Sequence, residues 1–266
     1  MRLTAQQRKL IASLSSARQR RQERLFVAEG VRTLRELLPV FSLRWLCCTS
    51  QWLEEHGEEL RALVNLSDSQ LLVCRPDELT RISSMTTPQG VLGVFEMPEE
   101  DNAELAPDSD ELILALDRVQ DPGNLGTILR VADWFGVRRV LASADTVDVF
   151  NPKVLQSTMG ALAHVKVTYC DLPEVLGRLS SQGVPVYGTF LDGDDLYRMT
   201  LTQGGVIVMG NEGNGISEAV GATVNRRLRI PSFPPGENTV ESLNVGTATA
   251  VTLAEFRRRI IAPPVE

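Results

Sequence analysis

Three times in this 266-residue chain an apolar run of β character stops at a loop rich in glycine and asparagine. Residues 112–116 are followed by Asp121-Pro122-Gly123-Asn124-Leu125-Gly126-Thr127-Ile128-Leu129-Arg130. Residues 206–209 lead into Gly210-Asn211-Glu212-Gly213-Asn214-Gly215-Ile216-Ser217. Residues 228–230 open onto Pro231-Ser232, a Pro/Gly-rich loop and then Ser242-Leu243-Asn244-Val245-Gly246-Thr247-Ala248. A sheet that releases such loops where its strands end is an open α/β sheet, which keeps its ligand in the crevice outside the carboxyl ends of the strands. The three loops are expected to line one pocket.

The surrounding pattern extends this reading. Further strands are expected at 139–142, 165–169 and 184–190, and helices at 125–135, 152–163, 172–182 and 245–259. The second half thus reads as a mostly parallel sheet with helices on both faces. Upstream, a short helix at 6–14 and a polar basic segment at 15–24 precede strands at 25–28, 43–48, 71–74 and 91–95, with helices at 29–38, 51–63 and 76–82. That alternation predicts a small α/β sandwich ending near Pro98. The expected domains are therefore 1–98, a linker at 99–111, and 112–266.

Charge follows the same division. The formal net charge of -7 arises from a segment at 99–111 that holds seven carboxylates and no cation, whereas residues 1–98 carry +2 and residues 112–266 carry -2. Acidity is thus a property of a solvated linker. Within the first 35 residues nine cations face only Glu23 and Glu29, and the Arg18, Arg20, Arg21 and Arg24 cluster is a candidate phosphate-binding patch. A helix with an arginine-rich solvent face accounts for it equally well.

Several function classes are set aside. No apolar run reaches the length of a membrane span, and the first residues lack the apolar core of a signal peptide, so the cytoplasm is the expected compartment. Cys47, Cys48, Cys74 and Cys170 have neither metal-ligand nor disulfide spacing and read as small buried hydrophobes; with His56 and His164 as the only histidines, no metal site is expected. Neither G-x-G-x-x-G after the first strand of the second half nor G-x-x-x-x-G-K-[ST] occurs, which argues against a dinucleotide dehydrogenase and a nucleotide triphosphatase.

Taken together, the three segments resemble the SpoU (TrmH) family of RNA ribose 2'-O-methyltransferases, of the SPOUT class. The first is similar to that family's Asn-x-Gly-x-x-x-Arg at Asn124, Gly126 and Arg130. The second is similar to its Gly-x-Glu-x-x-Gly at Gly210, Glu212 and Gly215, and the third to its Ile-Pro and Ser-Leu-Asn-Val at Ile230, Pro231, Ser242, Leu243, Asn244 and Val245. Asn151-Pro152-Lys153 through Met159-Gly160-Ala161 also resembles the stretch between the first two motifs. Residues 25–30 resemble the start of the ribosomal-protein-like α/β sandwich that many members carry as a substrate-binding domain.

The resemblance implies a catalytic domain at 112–266 tied in a deep trefoil knot, a feature general topology rules make rare. It implies S-adenosylmethionine as cofactor, held by Gly210, Ile230 and Leu243 with Thr189, at a strand end, as a further contact. It implies Arg130, Asn124, Glu212, Ser242 and Asn244 as the catalytic set, an RNA partner, and a homodimer formed through the catalytic domain. A guanidinium stays protonated in water, so Arg130 is expected to anchor phosphate and polarise the hydroxyl, while base catalysis stays an open proposal for the family. Asn124 is read as orienting Arg130 or the ribose, or as a helix cap, and Glu212 as pairing with Arg130 or fixing its loop. Ribosomal RNA is the leading substrate, with transfer RNA as its rival; a non-catalytic RNA-binding or assembly factor and a Rossmann-type metabolic enzyme are the competing classes. The 232–241 loop looks longer than usual for the family.

Overall fold

The computed structural model describes residues 1–63, 66, 67, 69–99, 107–234, 240 and 242–261. Most of the expected linker (100–106) and of the long loop (235–239 and 241) lies outside the described residues. In chain order the first elements are α1 (Ala5–Ser13), α2 (Ala17–Glu23), β1 (Leu25–Glu29), α3 (Val31–Leu37), β2 (Leu43–Cys48), α4 (Ser50–Leu63), β3 (Leu71–Val73), α5 (Pro76–Ile82) and β4 (Val91–Glu96). They are followed by β5 (Leu112–Leu116), α6 (Pro122–Trp134), β6 (Arg139–Ala142), α7 (Pro152–Thr158), β7 (Lys166–Tyr169), α8 (Leu172–Ser181), β8 (Val186–Asp195), β9 (Gly205–Met209), α9 (Glu218–Gly221), β10 (Arg226–Arg229) and α10 (Val245–Ile261). The chain packs as two compact units, Met1–Glu99 with Asp148–Ala163, and Glu100–Val147 with His164–Glu266.

In the first unit the sheet order is β1-β4-β2-β3, with β4 antiparallel to both neighbours and β2 parallel to β3. Side chains alternate across β1, as extended backbone requires. Val27 joins the core of Ile11, Leu14, Cys47, Leu72 and Leu92. Phe26 turns to the other side, stacking on Phe95 at 5.4 Å and on Phe150 at 4.6 Å. The 148–163 segment therefore completes the core of this unit. Its helix α7 starts at the Asn151 cap with Pro152 in the first turn and ends at Met159 (φ 51°) and Gly160 (φ 97°). A Cβ at Gly160 would stand 2.5 Å from Glu36 Cγ, so glycine serves both the left-handed turn and the close approach. The helix expected at 152–163 is consequently shorter.

The basic segment at 15–24 folds differently from its reading. It forms α2, closed by Arg24 in the left-handed region (φ 56°), and it does not present all four arginines to solvent. Arg18, Arg21 and Arg24 are exposed, but Arg20 is only 1% exposed. Its Nε and Nη2 donate to Asp148 Oδ2 at 3.0 and 2.5 Å, and its Nη1 donates to the Leu14 and Ser15 carbonyls at 2.9 Å each. With its donors spent inside the unit, Arg20 drops out of the phosphate-binding patch. Local composition could not reveal this, because the partner lies 128 residues away.

The second unit is built on six strands in the order β10-β8-β9-β5-β6-β7, every pairing parallel. The central β5 is buried along its whole length, the mark of a strand covered on both faces. On one face Ile113, Ala115, Val206 and Val208 pack against Leu172, Leu176 and Leu179 of α8 and Val220 of α9. On the other, Tyr187 meets Phe256 of α10 edge to face at 5.0 Å, and α10 lies beside α6. Asp121-Pro122 and Asp171 with Pro173 start α6 and α8, each aspartate accepting a first-turn amide. The four cysteines are embedded in these cores to different degrees: Cys47, Cys48 and Cys74 are buried and Cys170 half-buried. Burial pushes the thiols of Cys74 and Cys170 up to about 11 and that of Cys48 to about 12.

Candidate active site

The three glycine- and asparagine-rich loops belong to the second unit, and one side chain joins them. Asn124, in the first turn of α6, gives its backbone N–H to Asp121 Oδ1 at 2.8 Å. That cap leaves its amide side chain free for other work. Asn124 Nδ2 donates to Glu212 Oε1 at 2.7 Å, and Asn124 Oδ1 accepts from Asn244 Nδ2 at 2.8 Å. Asn244 in turn caps α10, its Oδ1 accepting from Gly246 N at 3.0 Å and Thr247 N at 3.3 Å. Every polar atom of the Asn244 amide is thereby committed in one direction, which fixes the Asn124 amide and hands its N–H to the carboxylate. Asn244 thus both caps its helix and reaches Asn124, whereas Asn124 is not the cap that its sequence position allowed: Asp121 caps α6, and the Asn124 side chain bridges Glu212 and Asn244.

Glu212 takes its hydrogen bond from Asn124, and no hydrogen bond or ion pair joins it to Arg130 among the described residues. Arg130 sits further along α6, exposed, and its guanidinium has no hydrogen bond or ion pair among the described residues. Ser242 and Leu243 are exposed in the extended residues before α10. Ile230 is half-buried just beyond the end of β10. Thr189 lies within β8, which continues to Asp195, so it is not at the strand's end; pairing with β9 nevertheless stops at Gly188, and Thr189 Oγ1 reaches back to the Val208 carbonyl at 3.3 Å. Direct bonds thus unite Asn124, Glu212 and Asn244, while Arg130, Ser242, Leu243, Ile230 and Thr189 are not bonded to that trio.

The loop carrying Glu212 has a scaffold that the motif reading passed over. Asn211 Oδ1 accepts from Gly213 N and Asn214 N at 3.0 Å each, while the backbones of Asn211 and Gly215 exchange hydrogen bonds at 3.0 and 2.9 Å. A Cβ on Gly210 would fall 2.3 Å from the Gly215 carbonyl carbon and 2.4 Å from Ile216 N. Glycine is required there because the loop folds back on itself. Beneath it, buried Asp117 accepts the Ser217 amide at 2.6 Å, and the Arg118 carbonyl accepts Asn211 Nδ2 at 2.8 Å. Arg118 itself holds a left-handed backbone (φ 59°) secured by its N–H to Ser143 Oγ at 2.9 Å. The available signal was an Asp-Arg pair placed directly after an otherwise apolar strand.

Comparison with known proteins matches this geometry to a family. The profile of the SpoU rRNA Methylase family covers residues 111–254. The chain belongs to that family. Residues 6–93 of this SpoU protein match the MRM3-like substrate binding domain. It is 34% identical over 189 residues to the 23S rRNA (guanosine(2553)-2'-O)-methyltransferase RlmP of Bacillus subtilis, covering 71% of this chain and 73% of RlmP. Among solved structures, a TrmH-family protein from Porphyromonas gingivalis superposes with a TM-score of 0.85 at 42% identity, over 97% of this chain and all of the other. An AdoMet-bound rRNA methyltransferase from Sinorhizobium meliloti superposes with a TM-score of 0.82 at 28% identity, over 97% of this chain and 96% of that one. The absence of the usual dinucleotide and triphosphate fingerprints is thus matched by a SpoU family assignment.

Proposed function

We propose that this chain is an S-adenosylmethionine-dependent methyltransferase that modifies a ribose 2'-hydroxyl of ribosomal RNA. The observation that carries the reading is the Asn244–Asn124–Glu212 relay at the start of the same helix that presents an uncommitted Arg130. Structural work, capping and loop closure, is done by the asparagines and Asp117, which leaves Arg130 free for substrate. S-adenosylmethionine, when bound, supplies an already activated methyl group, so the protein has to align the acceptor oxygen and ease the loss of one proton. Arg130 anchors the RNA phosphate and polarises the 2'-hydroxyl; Asn124, oriented through Asn244 and Glu212, holds the ribose in line.

The donor set suits the cofactor. Gly210 directly after β9, Ile230 directly after β10 and Leu243 before α10 offer backbone N–H and C=O groups, with Thr189 on β8, and such groups suit adenine and ribose edges. Ser242 completes the contacts to the nucleotide. Residues 1–98 serve as the RNA-substrate domain, with Arg18, Arg21 and Arg24 as its phosphate contacts. The homodimer forms through α6 and α10, whose outer surfaces expose Trp134 (85%), Ile260 (41%) and Ile261 (84%), apolar area that a lone protomer leaves in water. The trefoil knot belongs to the same reading, as does the cytoplasm, where ribosomal RNA is found; no helix among the described residues is long and apolar enough to cross a membrane.

Replacing Asn124 tests the relay. Asn124→Ala removes the link but leaves Asp121 the backbone N–H of residue 124 and Asn244 its cap on α10, so the variant is expected to fold and bind cofactor. Its kcat on ribosomal RNA should fall by about tenfold to a hundredfold, the scale of one positioned polar group. An unchanged kcat would remove the relay from the reaction.

A further inference from the structure

Among the described residues, three that are not glycine hold a left-handed backbone: Arg24, Met159 and Arg118. The first two close helices α2 and α7, where that conformation is ordinary. Arg118 closes no helix. It follows the buried Asp117 just beyond β5, at the carboxyl edge of the sheet, and its carbonyl supports the loop that carries Glu212. We propose that Arg118 is a positioning residue for the methyl transfer, its guanidinium holding the Gly210–Ser217 loop so that Glu212 meets Asn124. This role rests on the RNA-methylating reading above.

Backbone bonds account for the bend at Arg118 but not for its side chain. The Arg118 N–H reaches Ser143 Oγ in the loop after β6 at 2.9 Å, and the Arg118 carbonyl accepts from Asn211 Nδ2 in the loop after β9 at 2.8 Å. A left-handed turn (φ 59°) serves both neighbours at once. Glycine would make the same turn and the same two bonds without strain, whereas any other residue there is held against a cost. What arginine adds therefore lies in its guanidinium.

That group has two polar neighbours, and both belong to the support of the loop. Its Nε is buried, makes no hydrogen bond and stands 3.4 Å from Asp117 Oδ1, while its Nη2 donates to the Gly215 carbonyl at 3.5 Å. Both distances are long for hydrogen bonds, so the contribution is chiefly charge. The guanidinium is the cation beside a carboxylate that is 2% exposed, where little water is left to solvate the anion. Asp117 spends its other oxygen on Ser217 N at 2.6 Å, and the Gly215 carbonyl also accepts Asn211 N at 3.0 Å. Arg118 thus balances the anion under one end of the loop and touches the carbonyl that closes it. Between these points the loop presents Glu212, whose bond to Asn124 at 2.7 Å sets the direction of that amide. Without the guanidinium the loop keeps its internal bonds but stands on an unbalanced carboxylate, and Glu212 loses its register with Asn124.

Variants of the full chain test this. Arg118→Gly keeps the turn and both backbone bonds while removing the guanidinium, and Arg118→Lys keeps a cation beside Asp117. In nitrogen-15-labelled protein the side-chain amide signal of Asn124 is followed, assigned by its absence from Asn124→Ala, with circular dichroism melting as the check on folding. In Arg118→Gly the Asn124 amide protons are expected to move upfield, toward the free amide, and kcat on ribosomal RNA to fall by about tenfold to a hundredfold, the cost of a slight misplacement. The KM for RNA and its salt slope should stay as in the wild type. Arg118→Lys should lie between the two proteins in both signal and kcat. If Arg118→Gly does not melt cooperatively, Arg118→Gln takes its place with the same expectation. An Asn124 signal at its wild-type position, a kcat within about twofold of the wild type, or a raised KM with a flatter salt dependence at unchanged kcat, the mark of a phosphate contact, overturns the role of Arg118. A moved Asn124 signal in a chain that methylates no RNA sinks the activity and leaves the hold on the loop standing.

Discussion

Arg20 and Arg130 carry the same side chain and meet opposite fates. Arg20 is enclosed with both ends of its guanidinium bonded, whereas Arg130 stands exposed with none of its donors used among the described residues. An arginine buried against a carboxylate is structural, since removing it strands a charge with little water to solvate it. Arg20→Ala is therefore expected to cost about 3 kcal/mol of folding stability, read by urea unfolding. Neutralising Arg18, Arg21 and Arg24 together should leave the unfolding midpoint almost unchanged, raise the KM for RNA and flatten its salt dependence. If Arg20→Ala unfolded at the wild-type midpoint, its ion pair with Asp148 would be unimportant to the fold. The same logic separates Asp117, sunk beneath the Glu212 loop, from the groups that face substrate.

At the scale of elements, α10 shows how a helix is held at both ends. Asn244 caps its start, while near its end Glu255, 5% exposed, accepts from Arg258 at 2.8 Å and from Arg259 at 2.7 Å, and Arg259 also donates to the Leu196 carbonyl at 2.9 Å. Hydrogen bonds from Arg258 and then Arg259 hold the Glu255 carboxyl below the ordinary glutamate value of 4.5. A carboxylate with a depressed folded value stabilises the fold above its unfolded value and loses that contribution as pH falls through the folded one. Glu255→Gln should cost about 1–3 kcal/mol at pH 7, and amide protection in α10 should decline below pH 4.5 in the wild type but much less in the variant. Equal protection in both proteins at every pH would refute the role given to this cluster. Elements of this kind were legible where a local rule sets them: β5 and β6 have the bounds that their runs give, β9 adds only Gly205 to the 206–209 run, and α7 starts at Pro152, whereas α6 starts at Pro122, three residues before its expected start, because Asp121 caps it. Harder cases depend on distant partners. The 15–24 segment becomes helical around Arg20, whose anchor is Asp148, and β8 outlasts its apolar run because it pairs with β10 through Leu228 and Arg229. Within the site, motif spacing named Asn124, Glu212 and Asn244, but only the fold reveals that Asn124 bridges the other two.

The chain divides at 99/100, where its composition changes, and a second time where composition gives no sign. Although the 148–163 segment lies within the sequence span of the methylase family, it packs with residues 1–99, Phe150 against Phe26 and α7 beside β1. A 109–266 fragment would leave Phe150, Val154 and Leu155 without that core. It is expected to melt well below the full chain by circular dichroism, and a fragment melting at the full-length temperature would contradict this. The full chain is accordingly the object on which the central claim has to be tested. The decisive measurement is nucleoside mass spectrometry of ribosomal RNA after incubation with S-adenosylmethionine and either the wild-type chain or Arg130→Ala, with cofactor affinity measured by calorimetry on both. A 2'-O-methylated nucleoside is expected from the wild type, and from Arg130→Ala a rate lower by at least about a hundredfold at nearly unchanged cofactor affinity. Methylation on a base, methylation of transfer RNA in place of ribosomal RNA, or near-normal turnover by Arg130→Ala would contradict it.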